Sequence, residues 1–513
     1  MYVSYLGVPG DASLNCKIGR PALPPPWTVN TECGRRGWPI LKNRAVLMRI
    51  SRFSFFLLIL GILAPAGAGL AQTGAYQGSA SSGPPSDQPV SLSLDDALKR
   101  GLRYNLGGIT AEQSSQRAKG ENIVARAVLF PNLSGGLREN VQQIDLQSFG
   151  FNFKFPPSTG ISFPTVVGPF NYFDLRAYLT QRVADVNAIR SFQSSREAQR
   201  AAELSAMDAR EIVVYVVTAA YLQVLAESAR VDSARVQVDS AQAIFQQASD
   251  RFTSGLSAKI DMTRSQVELQ TQQQRLTAEE ADYAKQKIAL ARLIGLSPAQ
   301  SFTLADKLPY APLENITLEQ ALTLATQNRS DLKAAEAQLH AAEFARKAAV
   351  AEHYPTLGIT ADYGVIGMNP ANSHGTFDVS GQLLFPIWAG GHTHGDIVEA
   401  DATLTQRRAE YENTRARVEA DVRNAYLDLN AAAELVRVAQ SRRDLAHDEL
   451  TQSTDRFASG VADTVEVTQA QEVVASADSD YIANLNAHNL AKASVARAIG
   501  QAEKIMRDLL RSQ

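Results

Sequence analysis

The chain has 513 residues, 45% apolar and 20% charged, with a formal net charge of −3. Two cysteines exclude a disulfide scaffold and a cysteine-rich metal fold. The slight acidity excludes the basic surface by which proteins grip nucleic acid.

Residues 1–47 are Pro-rich and hold Trp27 and Trp38, and Met48 reads as a second beginning. Arg49 and Arg52 precede an apolar run over 53–63, followed by the small residues Ala66, Gly67, Ala68, Gly69 and Ala71. This is the pattern of a secretory signal over 48–71, cleaved after Ala71 or Ala68. The run is shorter than the roughly 20 apolar residues that span a bilayer. Residues 1–47 are therefore expected to be a mis-assigned upstream start or an extended leader. Removing 1–71 takes away 8 of the 50 basic and 2 of the 53 acidic residues, leaving 42 against 51 and a net charge of −9. Both Cys16 and Cys33 leave with it. Residues 72–90 are Gly, Ser and Pro rich and read as a flexible leader.

Beyond residue 90 the sequence repeats. SLDDAL at 93–98 answers TLEQAL at 317–322, and FPNL at 130–133 answers YPTL at 354–357, both at an offset of 224. AAYL at 219–222 answers NAYL at 424–427, and DRFTSGLSAKID at 250–261 answers DRFASGVADTVE at 455–466, both at 205. ARLIG at 291–295 and ARAIG at 496–500 share that second offset. The chain is a tandem duplication. Subtracting 205 from 224 assigns 19 extra residues to the first copy, between Pro131 and Leu179. The copies are expected over 91–300 and 315–513, with a linker at 301–314.

Each copy reads as helix, strand hairpin, very long helix, tip and return helix. The hairpins fall at 131–182 and 355–387. In the second, Leu357, Ile359, Ala361, Tyr363 and Val365 alternate with Thr356, Thr360 and Asp362, and Phe377, Val379, Leu383 and Phe385 alternate with Thr376, Asp378, Ser380 and Gln382. Residues 369–375 make the turn between them. In the first, Phe173, Leu175, Ala177 and Leu179 alternate with Asp174, Arg176 and Thr180, opposite a less regular strand over 133–145. Each has about the 9–11 residues that a tilted strand needs to cross an outer membrane. The long helices are predicted over 182–252 and 395–457, about 100 Å each at about 1.5 Å per residue. Val418, Val422, Tyr426, Leu429 and Ala433 form one apolar face. Gly255 and Gly460 follow the last periodic turns as C-cap glycines, with tips at 251–260 and 456–465. Return helices are predicted over 261–294 and 464–499. Four strands cannot close a membrane barrel, so closure requires several copies of the chain.

The duplicated plan, with RF-x-SG at both tips, AYL midway along each long helix and LFPIW-AGG after the fourth strand, resembles the TolC-like outer-membrane efflux ducts over about 90–506. The resemblance implies an α+β membrane protein. In it a homotrimer gives four strands per chain to a 12-stranded β-barrel that continues into a long α-helical periplasmic barrel. It implies residence in the bacterial outer membrane, partnership with a periplasmic adaptor and an inner-membrane transporter, and export of small molecules or proteins by conduction without chemistry. Adaptor docking is expected at Arg251, Phe252, Ser254 and Gly255 and at Arg456, Phe457, Ser459 and Gly460. The family's acidic constriction maps onto Glu466 and Gln469, of which only the first keeps a carboxylate; three Glu466 side chains in a ring would favour cations. A tyrosine and arginine that latch some members correspond to Phe457 and Ala462, so that latch is absent, while Asp261 remains as an acceptor. The Phe- and Pro-rich segment 149–170 becomes an external loop over the mouth. Phe385 and Trp388 fit an aromatic girdle at the periplasmic boundary.

His392, His394 and Asp396 in GGHTHGD could be taken as metal ligands. They sit at a helix start with no fourth ligand in view, so Asp396 reads as an N-terminal carboxylate and no metal or other cofactor is expected. No nucleophile elbow or phosphate loop is present, and an enzyme is not expected. A periplasmic coiled-coil scaffold without a pore is the alternative, and it leaves the alternating strands unexplained.

Overall fold

The computed structural model describes residues 76–81, 83–85, 88–151, 164–308 and 317–508, together with positions 74, 160 and 310; at 507–508 only the backbone is described. The expected signal segment lies outside the described residues, as do the expected adjoining leader at 1–47 and half of the external loop, at 152–159 and 161–163. The chain divides into units Met1–Pro65 and Ala66–Gln513, and every described residue falls in the second.

The duplication is visible as matched element lengths. The first copy contains β1 (Val90–Leu92), α1 (Leu94–Tyr104), α2 (Leu106–Ala127), β2 (Asn132–Asp145), β3 (Val166–Ala184), α3 (Val186–Thr253) and α4 (Lys259–Leu293). After β4 (Phe302–Leu304), the second contains α5 (Leu318–Asn328), α6 (Ser330–Ala351), β5 (Thr356–Gly367), β6 (Ser373–Leu384), α7 (His392–Ala458), α8 (Thr464–Ala498) and the closing α9 (Ala502–Asp508). Helices α3 and α7 have 68 and 67 residues, about 100 Å at the usual rise. Their return helices α4 and α8 have 35 each.

The boundaries follow local chemistry. Helix α3 starts four residues later than the sequence predicts because β3 runs through Ala184, and Asp185 then caps the helix by accepting from the Ala188 N–H at 2.9 Å. Helix α7 starts three residues early, after Gly390 and Gly391 at φ +63° and +93°. Thr317 and Gln320 form a reciprocal capping box on α5. The second hairpin turns over 368–372, so Gly375 lies within the β6 ladder opposite Val365 and not in the turn.

The four long strands form one antiparallel sheet in the order β2-β3-β5-β6. The two hairpins join through β3 and β5, where Leu175 faces Val365 and Ala177 faces Tyr363. Strands β2 and β6 stand at the edges, each with one side unpaired among the described residues.

The main core gathers where the short elements wrap the long helices. Val213, Val217, Tyr221 and Leu222 of α3 pack with Leu94 and Leu98 of α1, Leu290 of α4, Phe302 of β4 and Met506 of α9. By length and composition α3 alone among the described residues could cross a membrane, yet its apolar stretch is this core. The second copy repeats the arrangement with Val418, Val422 and Leu429 against Ala321, Ala325 and Val495.

The equivalence breaks at the AYL motifs. Tyr221 is fully buried, its hydroxyl 2.7 Å from Asp306 Oδ2 and 3.0 Å from Leu92 O, and Asp306 also accepts the Leu94 N–H at 3.0 Å. This ties the segment between the copies to α3. Tyr426 is only half-buried and Leu427 is exposed.

Candidate functional site

Both tips are built by one backbone device. After α3, Gly255 adopts φ +72°, its N–H donates to Phe252 O at 2.9 Å, and the Leu256 N–H donates to Arg251 O at 2.8 Å. After α7, Gly460 adopts φ +76°, with its N–H on Phe457 O at 3.0 Å and the Val461 N–H on Arg456 O at 2.9 Å. Each pair of bonds is a Schellman cap, which satisfies the last helical carbonyls through a left-handed residue that only glycine adopts without strain. Ser254 and Ser459 fold their hydroxyls back onto Asp250 O and Asp455 O, both at 2.8 Å.

The side chains at the two tips diverge. Phe457 is 5% exposed and packs with Ile244, Ala248 and Val467, whereas Phe252 is 38% exposed. Arg251 reaches from the first tip to the second: Nη1 donates to Phe457 O at 2.5 Å, and the guanidinium carbon lies 5.0 Å from the Phe457 ring centroid. Thr464 Oγ1 adds a second link, donating to Asp261 Oδ1 at 3.2 Å. Arg456 turns instead to Glu466 across its own tip, with Nε to Oε1 at 2.8 Å and Nη2 to Oε2 at 3.5 Å.

The residues singled out from the sequence therefore separate into groups. Arg251, Phe457 and Asp261 bind the two tips of one chain together, which withdraws Phe457 from the exposed surface shared by its counterpart Phe252. Glu466 carries its own arginine partner, so its carboxylate is not an isolated negative charge. Gln469 is exposed on α8 and lines a groove of about 300 Å³ with Val465 and Thr468 of α8 and Thr263, Arg264 and Val267 of α4. Phe252, Leu256, Ile260 and Val461 leave an apolar rim exposed at the end of the hairpins.

The opposite end is the sheet, whose two faces differ. Leu133, Leu137 and Val141 of β2, Leu175 of β3, Tyr363 of β5 and Phe377, Val379 and Leu383 of β6 are all exposed large hydrophobics. The register sets Leu137 beside Leu175 and Tyr363 beside Phe377, so they share one face. The other face is polar. Arg176 bonds Asp174 at 3.2 Å, Thr376 Oγ1 at 3.2 Å and Asp362, and Thr360 meets Ser380 at 2.8 Å. Where the sheet gives way to α7, Phe385 and Ile387 are exposed and Trp388 is 87% exposed.

Sequence reading missed the Arg251–Phe457 contact because the partners stand 206 residues apart. The signal was present in the doubled RF-x-SG motif, which implies neighbouring tips without saying which arginine crosses. The Arg456–Glu466 pair was legible from hairpin geometry, ten residues apart on either side of one turn.

Comparison with known proteins agrees with this geometry. The outer membrane efflux protein family model matches residues 110–296 and 321–501, one match per copy. Over 394 residues the chain is 23% identical to the pyoverdine export outer membrane protein OpmQ of Pseudomonas aeruginosa, covering 74% of this chain and 79% of that protein. It is 24% identical over 476 residues to protein CyaE of Bordetella pertussis, covering 90% and 97%. Among solved structures, the outer membrane protein VceC of Vibrio cholerae superposes with a TM-score of 0.67 at 17% identity, over 79% of this chain and 96% of that one. The match to both copies, on a fold of paired hairpins and 100 Å helices, places the chain in the outer membrane efflux protein family.

Proposed function

We propose that three copies of this chain assemble into a continuous duct, with the four-stranded sheets closing a 12-stranded barrel and the long helices continuing it across the periplasm. As a member of its family the chain is an outer-membrane exit channel for efflux or secretion, and it transports without catalysing a reaction. The observation that carries the trimeric reading is the sheet itself. It presents an apolar face that nothing among the described residues covers and two edges with no partner among them. In a bilayer neither feature survives unless copies pair edge to edge and turn the apolar face to lipid. The polar face with Arg176, Asp174 and Asp362 then lines the lumen, and Trp388 and Phe385 sit at the periplasmic boundary.

At the far end, the exposed rim of Phe252, Leu256 and Val461, with Arg456, Ser459 and Gly460 beside it, docks a periplasmic adaptor that couples the duct to an inner-membrane transporter. Arg251–Phe457 and Thr464–Asp261 stand in for the missing latch and hold the two hairpin tips of each chain together in the closed state. Glu466 and Gln469 lie at the constriction. The name of OpmQ records export of pyoverdine, and small molecules of that kind or secreted proteins are the cargo proposed here. Outer-membrane fractionation followed by mild-detergent extraction tests the assembly: a trimer that conducts in a planar bilayer is expected, and a soluble periplasmic monomer would reject the duct.

A further inference from the structure

Three side chains that the duct does not use converge at the base of the second hairpin. Glu352 is the C-cap of α6, and His392 and Asp396 stand one turn apart at the start of α7. One ligand atom from each lies within 4.8 Å of the others, and His392 Nδ1 is 2.8 Å from Asp396 Oδ2. We propose that this trio binds a borderline first-row divalent cation, with Zn²⁺ as its representative.

The donor set is one imidazole and two carboxylates, which suits zinc-like ions and disfavours the all-oxygen preference of Ca²⁺ and Mg²⁺. The four-residue spacing of His392 and Asp396 puts both on one face of α7, and Glu352 approaches from a second helix, so the ligands come from two rigid elements. Local charge favours a cation. Two carboxylates meet at the C-terminal end of α6, the negative end of the helix dipole, and the last turn of α6 holds no basic residue. Among the described residues, the one ion pair that either carboxylate makes is the Asp396–His392 contact. The positive start of α7 opposes this only in part, since two full negative charges outweigh the partial charge of one helix end. His392 is exposed, so its ring can turn either nitrogen toward an ion, and the three protein ligands leave a coordination position for water. His394, which the sequence grouped with His392, lies outside the trio, and Glu352 takes its place.

The site clasps the hairpin at its root, because Glu352 precedes β5 and His392 follows β6. The full-length protein, purified in detergent without a polyhistidine tag, is titrated with Zn²⁺ by calorimetry and with Co²⁺ by visible absorption. One Zn²⁺ per chain is expected. Glu352→Gln and His392→Gln should each weaken binding at least tenfold, and His394→Gln should leave it unchanged, with all three variants retaining the assembly state of the parent. Absence of saturable binding overturns the proposal, as does Glu352→Gln binding like the parent, or loss of binding in His394→Gln alone.

Discussion

Replacing Arg251 with alanine removes the side chain that reaches from the first tip to the backbone and ring of Phe457 in the second. The guanidinium donates to Phe457 O at 2.5 Å and lies 5.0 Å from the Phe457 ring. A hydrogen bond from a charged donor contributes about 1.5–3 kcal/mol, and a partly exposed cation–π contact about 0.5–1 kcal/mol. Arg251 is only half-buried, so the lower ends of both ranges apply, giving about 2 kcal/mol per chain. If the tips separate on opening, Arg251→Ala shifts the closed-to-open ratio of each hairpin pair by about 30-fold, at about 1.4 kcal/mol per tenfold. Single-channel recording in planar bilayers reads this as a longer open dwell time and a higher mean conductance. Phe457→Leu keeps the backbone acceptor and removes the ring, so it should reproduce only the smaller share of the effect. In a double-mutant cycle the two substitutions should couple by about 0.5 kcal/mol or more. Gating of Arg251→Ala identical to the parent, or strictly additive effects in the cycle, would refute a clamp between the tips.

Further outcomes follow from the same coordinates. Glu466→Gln should weaken cation selectivity, and Arg456→Ala, which removes the partner 2.8 Å from the Glu466 carboxylate, should strengthen it; reversal potentials in a salt gradient read both. Tyr221→Phe deletes the donor to half-buried Asp306 and should cost about 1–3 kcal/mol, seen as a lower temperature for loss of the folded oligomer. His488 is 2% exposed, Nδ1 has no hydrogen-bond partner among the described residues, and burial, then the Lys492 charge, depresses its pKa below the ordinary value. The folded state therefore prefers the neutral ring, so stability is complete above the unfolded-state pKa of about 6.5 and falls as pH drops toward the depressed value. His488→Gln should flatten thermal stability across that acidic window, and an unchanged pH slope would contradict the assignment.

What could be read in advance depended on whether the signal was local. The long helices carry a 3.6-residue apolar rhythm and end at glycines whose left-handed backbone is a property of the residue itself, so their ends at Thr253 and Ala458 fall within one residue of expectation. The start of α3 was misplaced because 181–184 can continue either element, and the Asp185 cap decides between them. The turn is shorter than 369–375: Ser373 and Gly375 favour turns by composition, but pairing of 373–375 with Gly367, Ile366 and Val365 extends them into the ladder. Contacts between copies were out of reach. Which of two matched arginines crosses to the other tip, and which of two matched tyrosines is buried under the inter-copy segment, depends on packing partners more than 80 residues away. Glu352 carries no local signal either, since its neighbours His392 and Asp396 come after an intervening hairpin.

The asymmetry of the tips also constrains how copies of the chain can meet. Matched helix lengths, 68 against 67 and 35 against 35, allow the two hairpins to serve as near-equivalent staves of a cylinder. If the tips were equivalent in their side chains as well, both arginines would be available to neighbouring hairpins and the ring of contacts would be sixfold and polar. They are not equivalent: Arg251 is engaged by Phe457 across the tips, and Arg456 pairs with Glu466 within its own hairpin. The surface left exposed at this end is dominated by Phe252, Leu256, Ile260 and Val461, which are large and apolar. A partner that docks here must bring apolar surface to cover them, and its affinity should depend only weakly on salt, since burial of uncharged surface is not screened.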